Sequence, residues 1–482
     1  MNAVPSLTRL LGDFVAHTSY EDVPDEVLEY GKRIFLDTLA CTVGGCAVQP
    51  RHDMFLQVAR ALGGPSTSTI LVSGERVDPV TAAMVNAEAG GALSAQESLY
   101  FTHTANVTMS VALALAERDA ADGRSLLLAF IVGYEVTALL GLLRPARLPP
   151  AVVRSEGGRS THDQYVSVGA AAAAAKALGL DAEQAAQALA IAAATAPGDA
   201  RRPRLSCLNY AGFHHKAHCG TIAALLAEQG FTGYGDILDV RDAPPPDGCE
   251  PDREHLLAGI GTKWWTLDAC IKLYPTCRYL SGPIEQFDRI VHEQKLDPDD
   301  IEHVFVHLSP LGLSSPHVST ASLEQDALDP AEPLNLVFNA PYQIAMVALG
   351  VSPGPAWYEP ARFGSAAVRD LMRRVSLEND PELGARMIAE AQAAPHRRVA
   401  SSGGAGVTVH AGGRSFVGRS DVVGGDPWSE ATRITDAQLA AKFRTYADSL
   451  LPADRVEQAC ELVLGLDRVQ DVNELTRLLV AR

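Results

Sequence analysis

Lys272-Leu273-Tyr274-Pro275-Thr276-Cys277-Arg278 marks the place where this 482-residue chain changes character. It follows an aromatic approach, Lys263-Trp264-Trp265, and crowds an ammonium, a phenol, a thiol and a guanidinium around one proline. Pro275 fixes its own φ and biases Tyr274 toward an extended conformation, so the neighbouring side chains are held. A fixed cation beside a phenol suits the binding of a carboxylate and the movement of a proton next to it. The same residues would also serve as an ordinary surface turn, so the flanking chain has to decide.

Upstream of this stretch the chain reads as helix after helix. Val27, Leu28, Ile34, Phe35 and Leu39 recur at helical spacing within Pro24–Ala40. Thr81–Leu93, Val107–Arg118, Ser125–Leu142, Ser167–Leu178 and Ala182–Ala194 follow the same pattern. Asp181 with Gln184 three residues on is a capping-box variant opening the last of these. The runs around Gly169–Ala175 and Ala190–Ala196 are unusually small, which lets helix axes approach closely and implies a compact helical layer.

Downstream of about Asp268 the texture differs. Ile301–Leu308 alternates as a strand, Val368, Leu371, Met372 and Val375 mark a short helix, and Gly406–Val417 is a hairpin turning at Gly412-Gly413. Gly424-Gly425-Asp426-Pro427 breaks the pattern, and Thr435–Leu450 and Ala453–Leu464 return to amphipathic helix that rejoins the first layer. The expected fold is therefore mainly α: a large all-helical domain (1–268 and 427–482) and a smaller α+β domain (269–426).

Composition narrows the function classes. Lys and Arg number 40 against 58 Asp and Glu, a net charge of −18 that argues against nucleic acid or an anionic membrane as partner. A pocket can still be locally positive toward a small anionic substrate. No run of eighteen apolar residues suggests a membrane span, and Met1–Pro5 shows no secretory signal. The eight cysteines follow no framework spacing and are expected to be reduced thiols of a cytoplasmic protein.

Several segments, in order along nearly the whole chain, resemble the MmgE/PrpD family of 2-methylcitrate dehydratases and cis-aconitate decarboxylases. They are Leu36–Cys41 with Gly44-Gly45, Gly133–Val136, Gly230–Gly233 with Ile237-Leu238, the Lys272-x-Tyr-Pro-x-Cys277 motif and Leu439–Arg444. The resemblance implies that the smaller α+β domain is a lid, with a cleft between it and the helical domain, and it implies a homodimer and metal-free, cofactor-independent chemistry on di- and tricarboxylic acids: dehydration, decarboxylation or epimerisation. Each needs a proton moved at a carbon next to a carboxylate, and fixed donors on the carboxylates.

The resemblance also points to residues. His103, before a helix, aligns with the family's catalytic histidine, and imidazole titrates near neutral pH; a cap or surface role is the plain alternative. His162, in Ser160-Thr161-His162-Asp163, resembles an Asp-His pair of the dehydratase branch, with a structural role beside it. Tyr342 aligns with a tyrosine that faces substrate, although a buried packing tyrosine reads the same way. Tyr274 would assist at oxygen, and Lys272 and Arg278 would hold carboxylate. Cys277 reads as a packed thiol despite its cationic neighbours. His214 and His218 share a helix face, but no third ligand accompanies them, so no metal is expected. Gly403-Gly404 and Gly412-Gly413 are not phosphate loops.

Three departures from the family pattern stand out. Its acidic Asp-Phe-Asp-Asp cluster is Ser94-Ala95-Gln96-Glu97 here, so only Glu97 can supply a carboxylate. The family lysine falls on Cys207, and a histidine that commonly follows the Tyr-Pro-Cys segment falls on Ser281. These changes point to a lyase acting on a small hydroxy or unsaturated acid with fewer carboxylates, such as a natural-product pathway intermediate. An isomerase, epimerase or cyclase using the same proton transfer is the enzymatic alternative. A non-catalytic homologue that kept the fold and dimer is the other.

Overall fold

A computed structural model describes residues 6–48, 51–99, 102–143, 146–147, 164–196, 212–239, 248–249, 252–314, 333–393 and 404–481. Helices α1 (Leu7–His17), α2 (Asp25–Gly45), α3 (Arg51–Leu62), α4 (Pro79–Gly91), α5 (Ala105–Arg118) and α6 (Gly123–Leu142) come first. Then follow α7 (Gln164–Ala177), α8 (Ala182–Thr195) and α9 (Phe213–Glu228). The small-residue runs do what their size suggests. A Cβ on Gly133 of α6 would lie 2.7 Å from the Gly169 carbonyl of α7, so the two backbones touch where only glycine fits. Asp181 and Gln184 form the expected capping box at α8.

α6 is long and apolar enough to cross a membrane, but most of it is enclosed by its neighbours, as expected of a core helix. The sequence reading started this helix two residues late and ended α2 five residues early. Helix ends carry polar or small residues that periodicity ignores.

The second region is built on α10 (Arg278–Gln294), which carries Pro283 inside it. A four-stranded sheet lies against it, made of β1 (Ile301–Leu308), β2 (Val375–Asn379), β3 (Ala405–Ala411) and β4 (Arg414–Ser420) in the order β2-β1-β3-β4. β1 pairs parallel with β2, Val304 opposite Val375, and antiparallel with β3, Val304 opposite Val409. β3 and β4 form the expected hairpin, Ala411 opposite Arg414 across Gly412-Gly413. Helices α11 (Ala340–Ala348), α12 (Ala366–Arg373) and α13 (Pro381–Ala393) complete this α+β region. Val375, expected at the end of a helix, instead opens β2.

The chain then returns. α14 (Asp436–Ala447) and α15 (Ala453–Leu464) both pack on α2, so the C-terminal helices join the first helical layer.

Candidate active site

Two irregular segments meet where the helical layer and the α+β region join. The first, 94–99 with 102–104, lies between α4 and α5; the second, 268–277, leads into α10. Ser98 and Cys270 exchange both backbone hydrogen bonds, at 2.8 and 2.9 Å, which fixes the segments side by side. Ser94 adopts φ +50°, a strained position for a side chain with a Cβ, directly after α4 ends.

Glu97 organises the first segment. It is fully buried, and its Oε1 accepts the amides of Thr104 and Ala105 at 2.9 and 3.0 Å. These N–H groups open α5 and have no partner within the helix, so a carboxylate suits them. Burial raises the Glu97 carboxyl to about 7 against the pull of these amides. Its Oε2 is buried without a hydrogen-bond partner.

His103 precedes the same helix and is only partly buried. Its Nδ1 meets the Glu97 carbonyl at 2.5 Å. A carbonyl only accepts, so Nδ1 carries the proton and Nε2 is the basic nitrogen. Burial and then the Lys272 ammonium hold the imidazole well below its ordinary range, which keeps it neutral.

Lys272 is fully enclosed, and its ammonium donates to the Ser94 carbonyl at 2.7 Å. Burial lowers it to about 8, with Cys277 and Glu97 acting in the opposite direction. Arg278 is the first residue of α10 and donates through one terminal nitrogen to Asp426. Its Nε and Nη1 are buried without an oxygen acceptor among the described residues, and the guanidinium also meets the Cys270 thiol. Both amide atoms of Gln96, and the hydroxyls of Ser94 and Ser281, are likewise buried and unpaired. Such groups cost about 1–3 kcal/mol each when nothing satisfies them, so their concentration along these segments is a mark of a binding site.

Of the expected residues, Glu97, His103 and Lys272 come together, with Arg278 on the adjoining helix turn. Tyr274 and Tyr342 do not join them through their hydroxyls. Tyr274 donates to Asp288 of α10 at 2.7 Å, and Tyr342 donates to the Trp357 carbonyl from the interior of the α+β region. Burial raises both phenols, so each stays protonated and commits its hydroxyl to that acceptor. Burial likewise raises Cys277, a packed thiol as expected. His162 and Cys207 lie outside the described residues.

The His214 run serves another purpose. His214 Nδ1 bonds Glu88 of α4 at 2.7 Å, and Arg51 pairs with the other oxygen of the same carboxylate. Among the described residues no group of three histidine, cysteine or acidic side chains could hold a metal.

Two lysines escaped the sequence reading. Lys216, buried on α9, lies 5.4 Å from the centre of the Phe213 ring and its charge reaches His103. Lys442 on α14 is bound to Asp37 of α2 at 2.6 Å. Each sits in an apolar stripe, Phe213-Lys216-Ala217-Gly220 and Leu439-Lys442-Phe443-Tyr446, the one hint that the sequence carries. A lysine at a core position is rarely there for packing.

A neutral imidazole with a defined basic nitrogen, held in the field of a buried ammonium, can remove or return a proton beside a carboxylate that the ammonium neutralises. The chain is similar to known proteins over nearly its whole length. The chain is 25% identical to a cis-aconitate decarboxylase of Aspergillus terreus, over 99% of this chain and 96% of that protein. It is 27% identical to the human cis-aconitate decarboxylase, over 94% of this chain and 90% of that protein. It is 24% identical to the cis-aconitate decarboxylase-like protein oryM of Aspergillus oryzae, over 98% and 97%. Residues 9–243 match the MmgE/PrpD N-terminal domain and residues 274–467 the MmgE/PrpD C-terminal domain, and the chain belongs to the MmgE/PrpD family.

Proposed function

We propose that the protein is a lyase that needs no metal or cofactor and removes water or CO2 from a small hydroxy or unsaturated carboxylic acid. The observation that carries this is the neutral His103, anchored through Nδ1 to the Glu97 carbonyl and lying in the field of the enclosed Lys272 ammonium. In this reading Nε2 of His103 moves the proton. Lys272, with Arg278 beside it, takes the carboxylate whose neighbouring carbon gains negative charge. Glu97 holds the helix start that carries the histidine.

Ser94, Gln96 and Cys207 replace charged groups of the family pattern and leave neutral donors and acceptors instead. The lost lysine at Cys207 favours a substrate with fewer carboxylates than cis-aconitate, and Gln96 offers a partner to a hydroxyl, carbonyl or amide. The same reading takes the working form to be a cytoplasmic homodimer.

The test is incubation with a panel of mono-, di- and tricarboxylic acids in D2O, followed by proton NMR and CO2 capture. Loss of water or CO2 that disappears in His103→Ala supports the lyase. Deuterium uptake or stereochemical inversion without loss would establish an isomerase or epimerase instead. Binding without any exchange would establish a non-catalytic homologue.

A further inference from the structure

Lys442 sits on a helix that reaches the site only after the chain has passed through the whole α+β region, yet its ammonium ends among the site residues. Three acceptors meet its three N–H donors. They are Asp37 Oδ1 at 2.6 Å, the Ala95 carbonyl at 2.9 Å and the Lys272 carbonyl at 2.9 Å. The Asp37 side chain is fully enclosed and that of Lys442 nearly so. Burial alone would lower Lys442; Asp37 and Cys41 more than offset this and leave it above the ordinary lysine range.

The geometry ties Lys272 at both ends to adjacent peptide groups. Its ammonium donates to the Ser94 carbonyl, while its own carbonyl is linked through Lys442 to the carbonyl of Ala95. Ser94 is the strained residue at φ +50°, and the segment that follows runs through Gln96 to Glu97. An ion pair present only for stability could be exchanged for packed apolar side chains. This one also satisfies two backbone carbonyls in irregular chain, which an apolar pair would leave unpaired.

We propose that Lys442 is a positioning residue, which fixes both the backbone from which the Lys272 side chain starts and the loop on which its ammonium ends. The role rests on Lys272 being the carboxylate-holding cation. Its test needs no substrate, so its failure is distinguishable from failure of the lyase reading.

The experiment is trace acetylation of the full-length protein by acetic anhydride between pH 6 and 11, with peptide mass spectrometry at Lys272 and Lys216. In wild type Lys272 should titrate near 8 with a low plateau rate. In Lys442→Met the plateau should rise about tenfold, as expected when one charge-assisted bond no longer opposes local opening. The midpoint should also move up toward that of an exposed lysine, while Glu97, Cys277, Arg278 and Cys41 around it are unchanged. Lys216, on α9, should keep both its plateau and its midpoint. Should Lys442→Met not fold, Asp37→Asn removes the anchoring charge with little change of shape; there the rise in plateau is the readout, because losing the Asp37 charge lowers the Lys272 midpoint directly. A Lys272 profile identical to wild type in the folded variant would overturn the proposal. So would an equal rise at Lys216, which would mean general loosening.

Discussion

Glu97 grips the chain at His103 twice: its carbonyl takes the ring Nδ1 at 2.5 Å, and its carboxylate takes the amides of the next two residues at 2.9 and 3.0 Å. One residue therefore sets the tautomer of the histidine and the position of the helix start that carries it. The single acid surviving at the site of the family's acidic cluster has a structural task that would keep it even if its companions were lost.

Replacing His103 removes the basic nitrogen while leaving Glu97 and the helix start in place. Turnover of the substrate found by the acid panel should fall by about 10²–10⁴ in His103→Ala, the usual worth of a positioned acid or base. Steady-state kinetics at matched folding, checked by circular dichroism, decide it; wild-type turnover would exclude the role.

Lys272 predicts the alkaline side of the pH profile. Its ammonium, lowered by burial to about 8, is the form that holds a carboxylate. As pH rises through 8 the charge is lost, so kcat/KM should fall there rather than near the ordinary lysine value. In Lys272→Met, which keeps length without charge, kcat/KM should be low and lack this limb. A falling limb unchanged in that variant would assign it to another group.

The fold was legible because its signals are periodic: helical spacing up to Asp268, alternation in Ile301–Leu308 and a glycine pair at the hairpin. The site was half legible. His103, Lys272 and Glu97 stood out as chemistry-bearing residues in matched segments. Tyr274 and Tyr342 were equally conspicuous, yet a phenol beside a proline motif gives no hint that its hydroxyl turns to Asp288 or to a carbonyl. Lys216 and Lys442 were hidden in apolar stripes, where the eye takes a lysine for a residue at the edge of the helix face. Only tertiary packing decides that both are enclosed.

The raised carboxyl of Glu97 makes stability depend on pH. Its folded value of about 7 lies above the ordinary glutamate value of 4.5, so the folded state binds this proton more tightly than the unfolded chain. Its contribution is complete below about 4.5 and is lost as pH rises through 7. Glu135, which holds the Trp265 and Thr266 amides, is also raised to about 7 and adds to the same slope. The comparison must therefore be a difference. Stability of wild type minus that of Glu97→Gln should fall by up to about 3 kcal/mol between pH 4.5 and 8. Urea unfolding across that range measures it, and a flat difference would refute the shift.

The donor sets predict indifference to chelators. Glu88 takes Nδ1 of His214 and Arg51 shares that carboxylate, so His214 is oriented by a salt-bridged acid rather than gathered with other ligands. Activity should survive prolonged dialysis against a chelator. Stoichiometric zinc or iron by elemental analysis, lost together with activity, would contradict this.

The last prediction concerns charge at position 207. The family pattern has a lysine there and this chain has Cys207. Three carboxylates need three sources of positive charge. Among the described site residues Lys272 and Lys216 are the two cations that reach His103, while Arg278 already shares its charge with Asp426 and Lys442 is neutralised by Asp37. Cis-aconitate should therefore bind wild type weakly and turn over slowly. Cys207→Lys should tighten it by up to about 1–3 kcal/mol where the new ammonium meets the carboxylate in a dry setting. The native substrate should gain nothing or bind more weakly, because an enclosed cation without its anion is unfavourable. The longer side chain can overpack the site, so thermal unfolding of the variant is measured first. Calorimetric titration of cis-aconitate and 2-methylcitrate against both proteins then separates the cases. Tight binding and rapid turnover of either acid by wild type would show that the loss of the lysine did not retune the pocket, and the proposed shift toward a less charged substrate would fall with it.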